Sequence, residues 1–460
     1  MAARAFESVD PARGERLRTW PETRPDDVER ILAEAQASFE IWSRASFEVR
    51  AVPLRRAASL LRERAEPLAL LMAEEMGKPL SQGRAEIEKC AGACEFYAER
   101  SAALLADEPA RPARAGAREY VTFRPLGVVL AIMPWNFPFW QVSRFAAPNL
   151  MAGNAALLKH AENVQGCARA IEACLRDAGF PEGLFRSVAV PVERLPELIR
   201  HPLVRAVTLT GSTRAGRSVA ELAGSALKKC VLELGGSDAY VVLGDADLEL
   251  AARTSVASRL INGGQSCIAA KRFIVVGPAR AEFTERVLAL MQSKTWGDPR
   301  GPVDLGPLAR ADLCETLHRQ VQESVAAGAR LLLGGELPPG PGFFYPPTVL
   351  ADVSPGMPAF DQETFGPVAA IVAARDEDEA LELANHTSYG LGAALFTRDV
   401  ERGERLARER LEAGSVFVND FVRSDPRLPF GGIKDSGFGR ELSGFGLREF
   451  VNVKSVAVQG

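Results

Sequence analysis

Cys267 lies in Gly263-Gly-Gln-Ser-Cys-Ile268, and Glu233 closes the apolar run Lys229-Cys-Val-Leu-Glu-Leu234 just before Gly235 and Gly236. A thiol attacks a carbonyl carbon as its thiolate. With a free pKa of about 8.5 it is only partly ionised at neutral pH, so it gains from a base close by. Asn136, in Met133-Pro-Trp-Asn-Phe-Pro-Phe-Trp140, carries a side-chain amide able to donate to a developing oxyanion. The three types make a nucleophile, a base and an oxyanion donor. Each also has an ordinary explanation: a small buried hydrophobe, a solvated strand end, a helix N-cap. Their shared position at strand ends and turns favours the chemical reading, because ligands of α/β sheets bind there.

Other residues suit a nucleotide. Lys159 and Glu162, three apart in Leu157-Leu-Lys-His-Ala-Glu162, can both hydrogen-bond ribose hydroxyls, and a carboxylate there repels a 2'-phosphate. A solvated ion pair is the alternative. Gly211 and Ser212 sit between the strand-like Thr208-Leu-Thr210 and a helix start, where amides can hold a phosphate. Glu363 and Phe365, in Phe360-Asp-Gln-Glu-Thr-Phe-Gly-Pro367, could hold a ribose and wall a nicotinamide ring. The glycine-dense Pro429 to Glu441 is assigned to structure rather than catalysis.

Positioning these residues takes a β-α alternation. Strands are expected at 127–132, 155–159, 184–190, 204–210 and 228–234, with helices at 140–152, 164–178, 192–200 and 213–225. Such a rhythm demands parallel strands with crossover helices, a doubly wound α/β domain. No G-x-G-x-x-G marks its first turn. A second alternation covers 238–425, with strands near 238–243, 270–277, 367–374, 392–397 and 414–419. Residues 25–108 read as helices that pack as scaffold. The arm 119–125 and the β-branched tail 448–458 have no local partner, which suggests pairing between subunits of a homodimer or homotetramer.

The 460 residues suggest two or three domains. A net charge of −4 offers no electrostatic case for nucleic acid or an anionic membrane, so the expected partner is a small molecule. No apolar run reaches the roughly 20 residues of a membrane span, and no signal-peptide segment is present, which places the chain in the cytoplasm. The seven cysteines form no paired framework, and the four histidines have no ligand spacing, so no metal is expected.

Pro134-Trp-Asn-Phe-Pro138, Thr210-Gly-Ser212, Leu232-Glu-Leu-Gly-Gly236, Gly264-Gln-Ser-Cys267, Glu363-Thr-Phe-Gly-Pro367 and Pro429-Phe-Gly-Gly432 stand in the order and spacing of the aldehyde dehydrogenase superfamily, which the chain resembles over almost its whole length. Gly-Gly-Ser-Asp238, Gln265 to Phe273 and Ser424 to Gly432 look most like the shorter bacterial succinate-semialdehyde dehydrogenases. The resemblance implies an NAD-binding domain of residues 1–104 and 126–234, a catalytic domain of 235–440, and an oligomerisation arm of 105–125 and 441–460. It implies that Cys267 forms a thiohemiacetal with an aldehyde, that Asn136 and the Cys267 amide hold its oxyanion, and that Glu233 activates the water that hydrolyses the thioester. Lys159 and Glu162 match adenine-ribose contacts, Trp135, Gly211, Ser212 and Leu234 lie in the cofactor cleft, and Glu363 with Phe365 matches the nicotinamide-ribose site. Glu162 favours NAD, with NADP left open.

Arg144 resembles the arginine that binds the distal carboxylate of succinate semialdehyde, and Ser424 a second contact. Where some such enzymes carry a second arginine this chain has Ile261, so glutarate semialdehyde and uncharged aldehydes stay open. Asn262-Gly-Gly264 departs from the family at its middle residue, and Ile268 and Ala269 leave no neighbouring cysteine for a disulfide switch. A CoA-acylating enzyme is disfavoured by Glu233. A silent scaffold protein is disfavoured by the presence of Cys267, Asn136 and Glu233 together.

Overall fold

The computed structural model describes residues 5–111 and 116–459. Two sheets carry it. In the first, six strands run in the order Gly437–Phe438, Lys229–Glu233, Val204–Thr210, Val128–Met133, Ala155–His160, Phe185–Ser187. The last five are parallel. Val128–Met133, at the centre, is buried at every residue, which is why it reads as one apolar run rather than an alternation. From it the chain moves outward through Ala155–His160 to Phe185–Ser187, then crosses to Val204–Thr210 on the other side. The order therefore reverses between Val128–Met133 and Val204–Thr210. The loops leaving the carboxyl ends there, 134–139 and 211–212, frame the crevice where such sheets bind ligands.

The second sheet has seven strands, ordered Arg330–Leu333, Thr348–Ala351, Val368–Ala374, Arg272–Val276, Ala239–Val242, Gly392–Phe396, Ser415–Val418. All neighbours are parallel except the first pair. Apolar cores cover both its faces. Arg330–Leu333 and Thr348–Ala351 were not expected from sequence; a glycine- and proline-rich loop separates them and hides their pairing. The amino-terminal hairpin Ala5–Asp10 with Glu15–Pro21 was also unforeseen. Its second strand is almost wholly exposed and lacks an alternating pattern. The expected strand 184–190 shortens to Phe185–Ser187, and the helix at 192–200 starts as a 3-10 turn before Leu195–Arg200.

The carboxy-terminal tail and the arm grouped with it form one sheet. Val451–Gln459 has a partner within its own chain, pairing antiparallel along its full length with Ala117–Pro125, whose other edge takes Glu108–Ala110. Over 300 residues of intervening chain concealed that pairing. Among the described residues no helix is long and apolar enough to cross a membrane.

Candidate active site

The thiol is delivered by a left-handed turn. Helix Leu248–Leu260, capped by the Asp247 carboxylate, ends at Ile261, and Asn262, Gly263 and Gly264 follow with φ of 55°, 64° and 78°. Asparagine and glycine tolerate that region where most side chains are strained. A Cβ on Gly264 would also lie 2.2 Å from the Gly366 carbonyl oxygen. The Asn262 side chain donates to the Asn136 carbonyl at 2.7 Å and to the Gln265 carbonyl at 3.1 Å, tying the turn to the loop opposite. Lys271 Nζ, fully buried, donates to the Cys267 carbonyl at 2.7 Å and the Ser266 carbonyl at 3.0 Å. Cys267 itself is half-buried, and burial pushes its thiol up to about 12 against the opposing pull of the Arg144 and Lys271 charges.

Asn136 Nδ2 donates to the Gln265 carbonyl at 3.0 Å, two residues before the thiol, and the amide keeps a second N–H for another acceptor. Its loop is held by residues that sequence reasoning passed over. Glu86 accepts from the amides of Phe139 and Trp140, both at 2.9 Å, and so caps helix Trp140–Ala152. The same carboxylate ion-pairs with fully buried Lys78, whose ammonium lies 4.0 Å from the Phe137 ring centroid. His160 accepts from the Ala161 amide at Nδ1, which leaves Nε2–H to donate to the Pro138 carbonyl at 3.0 Å. Burial holds this ring neutral, pulling it down to about 4. Replacing Glu86 by Gln strands the Lys78 ammonium in the core. We expect a loss of about 3–5 kcal/mol, read as a lower midpoint of thermal unfolding.

Gly235 and Gly236 bring three functional groups around one turn. The Gly236 amide donates to Glu363 at 3.0 Å, and a Cβ on Gly236 would lie 2.7 Å from the Cys267 carbonyl oxygen. Only a residue without a side chain lets the Glu233 strand end, the thiol loop and Glu363 approach this closely. The segment from Pro429 to Glu441 completes the arrangement. Gly437 pairs with Glu233 across the sheet edge, Ser436 hydrogen-bonds the Gly235 carbonyl at 2.6 Å, and a Cβ on Gly431 would lie 2.8 Å from a Glu233 oxygen. Glu233 is buried, and neither carboxylate oxygen has a hydrogen-bond partner among the described residues. Burial, then the nearby Glu441 charge, push its carboxyl well above the usual range. That environment favours the neutral acid over the anion and makes the ionised carboxylate a stronger base than usual.

The expected nucleotide residues line the carboxyl edge of the first sheet. Lys159 sits near the end of Ala155–His160, and Glu162 opens the 3-10 turn that follows. After Gly211, Ser212 caps helix Thr213–Ser225, accepting from the Ala215 amide at 3.3 Å. Leu234 packs so tightly on Gly216 of that helix that a Cβ there would approach it to 2.5 Å. The rings of Trp135 and Phe365 meet edge to face, 5.8 Å between centroids. Glu363 lies 3.7 Å from Lys271. Helix amino terminus, carboxylates at strand ends and aromatic walls beside the switch point fit a dinucleotide.

A cavity of about 130 Å³ opens beside Cys267, walled by Phe137, Trp140, Arg144, Ser424 and Phe430. Arg144 and Ser424 are thus brought to the thiol, as expected. Arg144 is already engaged, however: its guanidinium ion-pairs with buried Glu441, donates to Thr210 at 3.3 Å and lies 4.7 Å from the Phe430 ring centroid.

The model of the aldehyde dehydrogenase family matches residues 1–456. The chain is 50% identical over 450 residues, covering 98% of itself and 97% of the relative, to the Escherichia coli K12 protein named succinate semialdehyde dehydrogenase (NAD(P)+) Sad. It is 46% identical over 451 residues, 98% of each protein, to succinate-semialdehyde dehydrogenase (NADP+) 1 of Mycobacterium bovis. Among solved structures it resembles the succinic semialdehyde dehydrogenase of Streptococcus pyogenes in complex with NADP+, with a TM-score of 0.96, 35% identity, and coverage of 99% of this chain and 100% of that one. With its ordered motifs, its two sheets and the thiol at their junction, the chain belongs to the aldehyde dehydrogenase family.

Proposed function

We propose that this protein oxidises succinate semialdehyde to succinate with NAD(P), through a covalent adduct on Cys267. The observation that carries the reading is the convergence of the Glu233 strand end, the Cys267 carbonyl and Glu363 on Gly235 and Gly236, opposite Asn136. The Cys267 thiolate attacks the aldehyde carbon, and the free N–H of Asn136 together with the Cys267 amide takes the oxyanion. A bound nicotinamide supplies the hydride acceptor. Glu233 then takes a proton from water as the hydroxide adds to the thioester, and the carbon–sulfur bond breaks to restore Cys267. The substrate rests on the names of the relatives in Escherichia coli and Mycobacterium bovis.

The engagement of Arg144 by Glu441 favours a second reading, oxidation of uncharged aldehydes, because the expected carboxylate partner is already neutralised. A panel of succinate semialdehyde, glutarate semialdehyde and hexanal, followed by absorbance of the reduced cofactor, separates the two. Equal kcat/KM for hexanal and succinate semialdehyde overturns the first.

Glu162 supports a preference for NAD. Glu162→Ser removes the charge that opposes a 2'-phosphate, and we expect the NAD-to-NADP ratio of kcat/KM to fall about tenfold, by side-by-side titration. An unchanged ratio places discrimination elsewhere. The arm sheet exposes Val453 and Val458, which supports a homodimer or homotetramer built on that strand, to be checked by light scattering. Seven free cysteines agree with residence in the reducing cytoplasm.

A further inference from the structure

Helix Leu80–Leu104 touches both sides of the reacting arrangement, and no motif announced either contact. Glu86 takes the Phe139 and Trp140 amides beside Asn136, and Gln82, one helical turn earlier on the same face, takes the thiol turn. Ile261 leaves helix Leu248–Leu260 with φ −54° and ψ 127°, which turns the next amide out of the helical ladder. That amide, of Asn262, donates to Gln82 Oε1 at 2.7 Å. Gln82 Nε2 donates in turn to the Asp304 carbonyl at 3.0 Å. One of these neighbours can only donate and the other only accept, so the orientation of the Gln82 amide is determined. The Asn262 side chain carries the connection onward, donating to the Asn136 carbonyl at 2.7 Å.

From this closed ring of bonds we infer that Gln82 is a positioning residue for the proposed reaction. By holding the Asn262 amide from the helix that also carries Glu86, it sets the distance between the Cys267 thiol and the oxyanion donor Asn136. The inference rests on the function proposed for those two residues. Four residues of helix rise about 6 Å, a spacing that side-chain motion does not alter. The helix is firmly seated at this end. A Cβ on Gly83, between the two contacts, would lie 2.9 Å from the Ala69 side chain of helix Ala65–Met76. The Leu80 amide donates to the Pro299 carbonyl at 3.1 Å, and a Cβ on Gly306 would lie 1.9 Å from the Gly77 carbonyl oxygen, so the segment 299–306 wraps the first turn. Gln265, two residues before the thiol, holds the far side of the turn: its side chain donates to the Asn262 carbonyl at 3.2 Å and accepts from the Ala309 amide at 2.9 Å. An oxyanion donor acts only at hydrogen-bond length from the developing charge, and a shift of about 1 Å made far from the reacting atoms can cost about 100-fold in rate. Without Gln82 the turn keeps its side-chain bonds and loses its tie to the helix.

The test is a double-mutant cycle between Gln82→Ala and Asn136→Ala, read as kcat/KM for succinate semialdehyde and, separately, for hexanal. Alanine is the best helix former and position 82 is half-buried, so the fold should survive, which the midpoint of thermal unfolding checks. In the parental background we expect Gln82→Ala to lower kcat/KM about 10- to 100-fold for both aldehydes alike. In the Asn136→Ala background, whose residual rate has no oxyanion side chain left to align, the same change should cost less than about threefold. A residue that only supports the fold costs the same factor in both backgrounds. Gln82→Glu keeps an acceptor for the Asn262 amide, gives up the bond to Asp304, and should recover most of the alanine loss. A parental kcat/KM in Gln82→Ala, equal losses in both backgrounds, a loss confined to one aldehyde, or equal losses in the alanine and glutamate variants each overturn the inference while leaving the proposed function intact. A parental protein that oxidises neither aldehyde overturns the proposed function and the inference together.

Discussion

Cys267→Ala is expected to lower kcat for aldehyde oxidation by at least about 10⁴-fold, since loss of a covalent nucleophile removes the whole pathway and not one contact within it. Every contact around the thiol points to a group positioned rather than merely buried. The left-handed turn through Gly264 is strained for most residues, and Lys271 fixes the carbonyls of Ser266 and Cys267. The thiol is also quiet at rest. Because burial pushes it up to about 12, its thiolate is a small fraction at pH 7, and alkylation by iodoacetamide without substrate should speed up about tenfold per pH unit from 7 to 9. The sign follows from the raised value: below it, each unit of pH multiplies the ionised fraction. Peptide mass analysis assigns the label, and the alanine variant supplies the blank. A Cys267→Ala protein that reduces NAD at the parental rate overturns the mechanism.

What the residue string made visible depended on how local the physics was. Val128–Met133 is buried at every residue and Val204–Thr210 at all but Arg205, so their largely apolar stretches between turns announce parallel strands. Helices Trp140–Ala152 and Thr213–Ser225 end where expected, the first at left-handed Gly153 and the second beginning at the Ser212 cap. The proposed reacting groups stood out for a similar reason, since Cys267, Glu233 and Asn136 sit in short motifs of unusual composition. Their supports were not. Glu86 and Lys78 look like surface charges on a helical scaffold, and nothing local says that both are buried or that Glu86 caps a helix more than 50 residues away. His160 reads as a strand-end polar residue until its ring is seen holding the Pro138 carbonyl. Arg144 lines the cavity beside Cys267, and its pairing with Glu441 depends on a turn nearly 300 residues later. The register of the tail Val451–Gln459 against Ala117–Pro125 was hidden in the same way, its partner being distant in sequence and adjacent in space.

Glu233→Gln is expected to separate the two halves of the reaction. Its first turnover should proceed, releasing about one equivalent of reduced cofactor per site, and steady-state kcat should then fall about 10²–10⁴-fold because the thioester waits for a water that no base activates. Rapid-quench or stopped-flow absorbance reads both phases. The amide is nearly isosteric, so it fits beside Gly431, and it removes a carboxylate that burial and Glu441 already disfavour as an anion; the fold should therefore survive the change. The pH profile adds a second reading. In the parental protein Glu233 must be ionised to act and its carboxyl is held well above the usual range, so steady-state kcat should rise with pH on the acid side and fall as pH drops through that raised value. In the glutamine variant that acid limb should disappear from the residual rate. Full steady-state turnover in Glu233→Gln, with the limb unchanged, removes Glu233 as the base. A vanished burst instead assigns Glu233 to the first half, in activating the thiol, because an acyl adduct that never forms cannot reduce the cofactor.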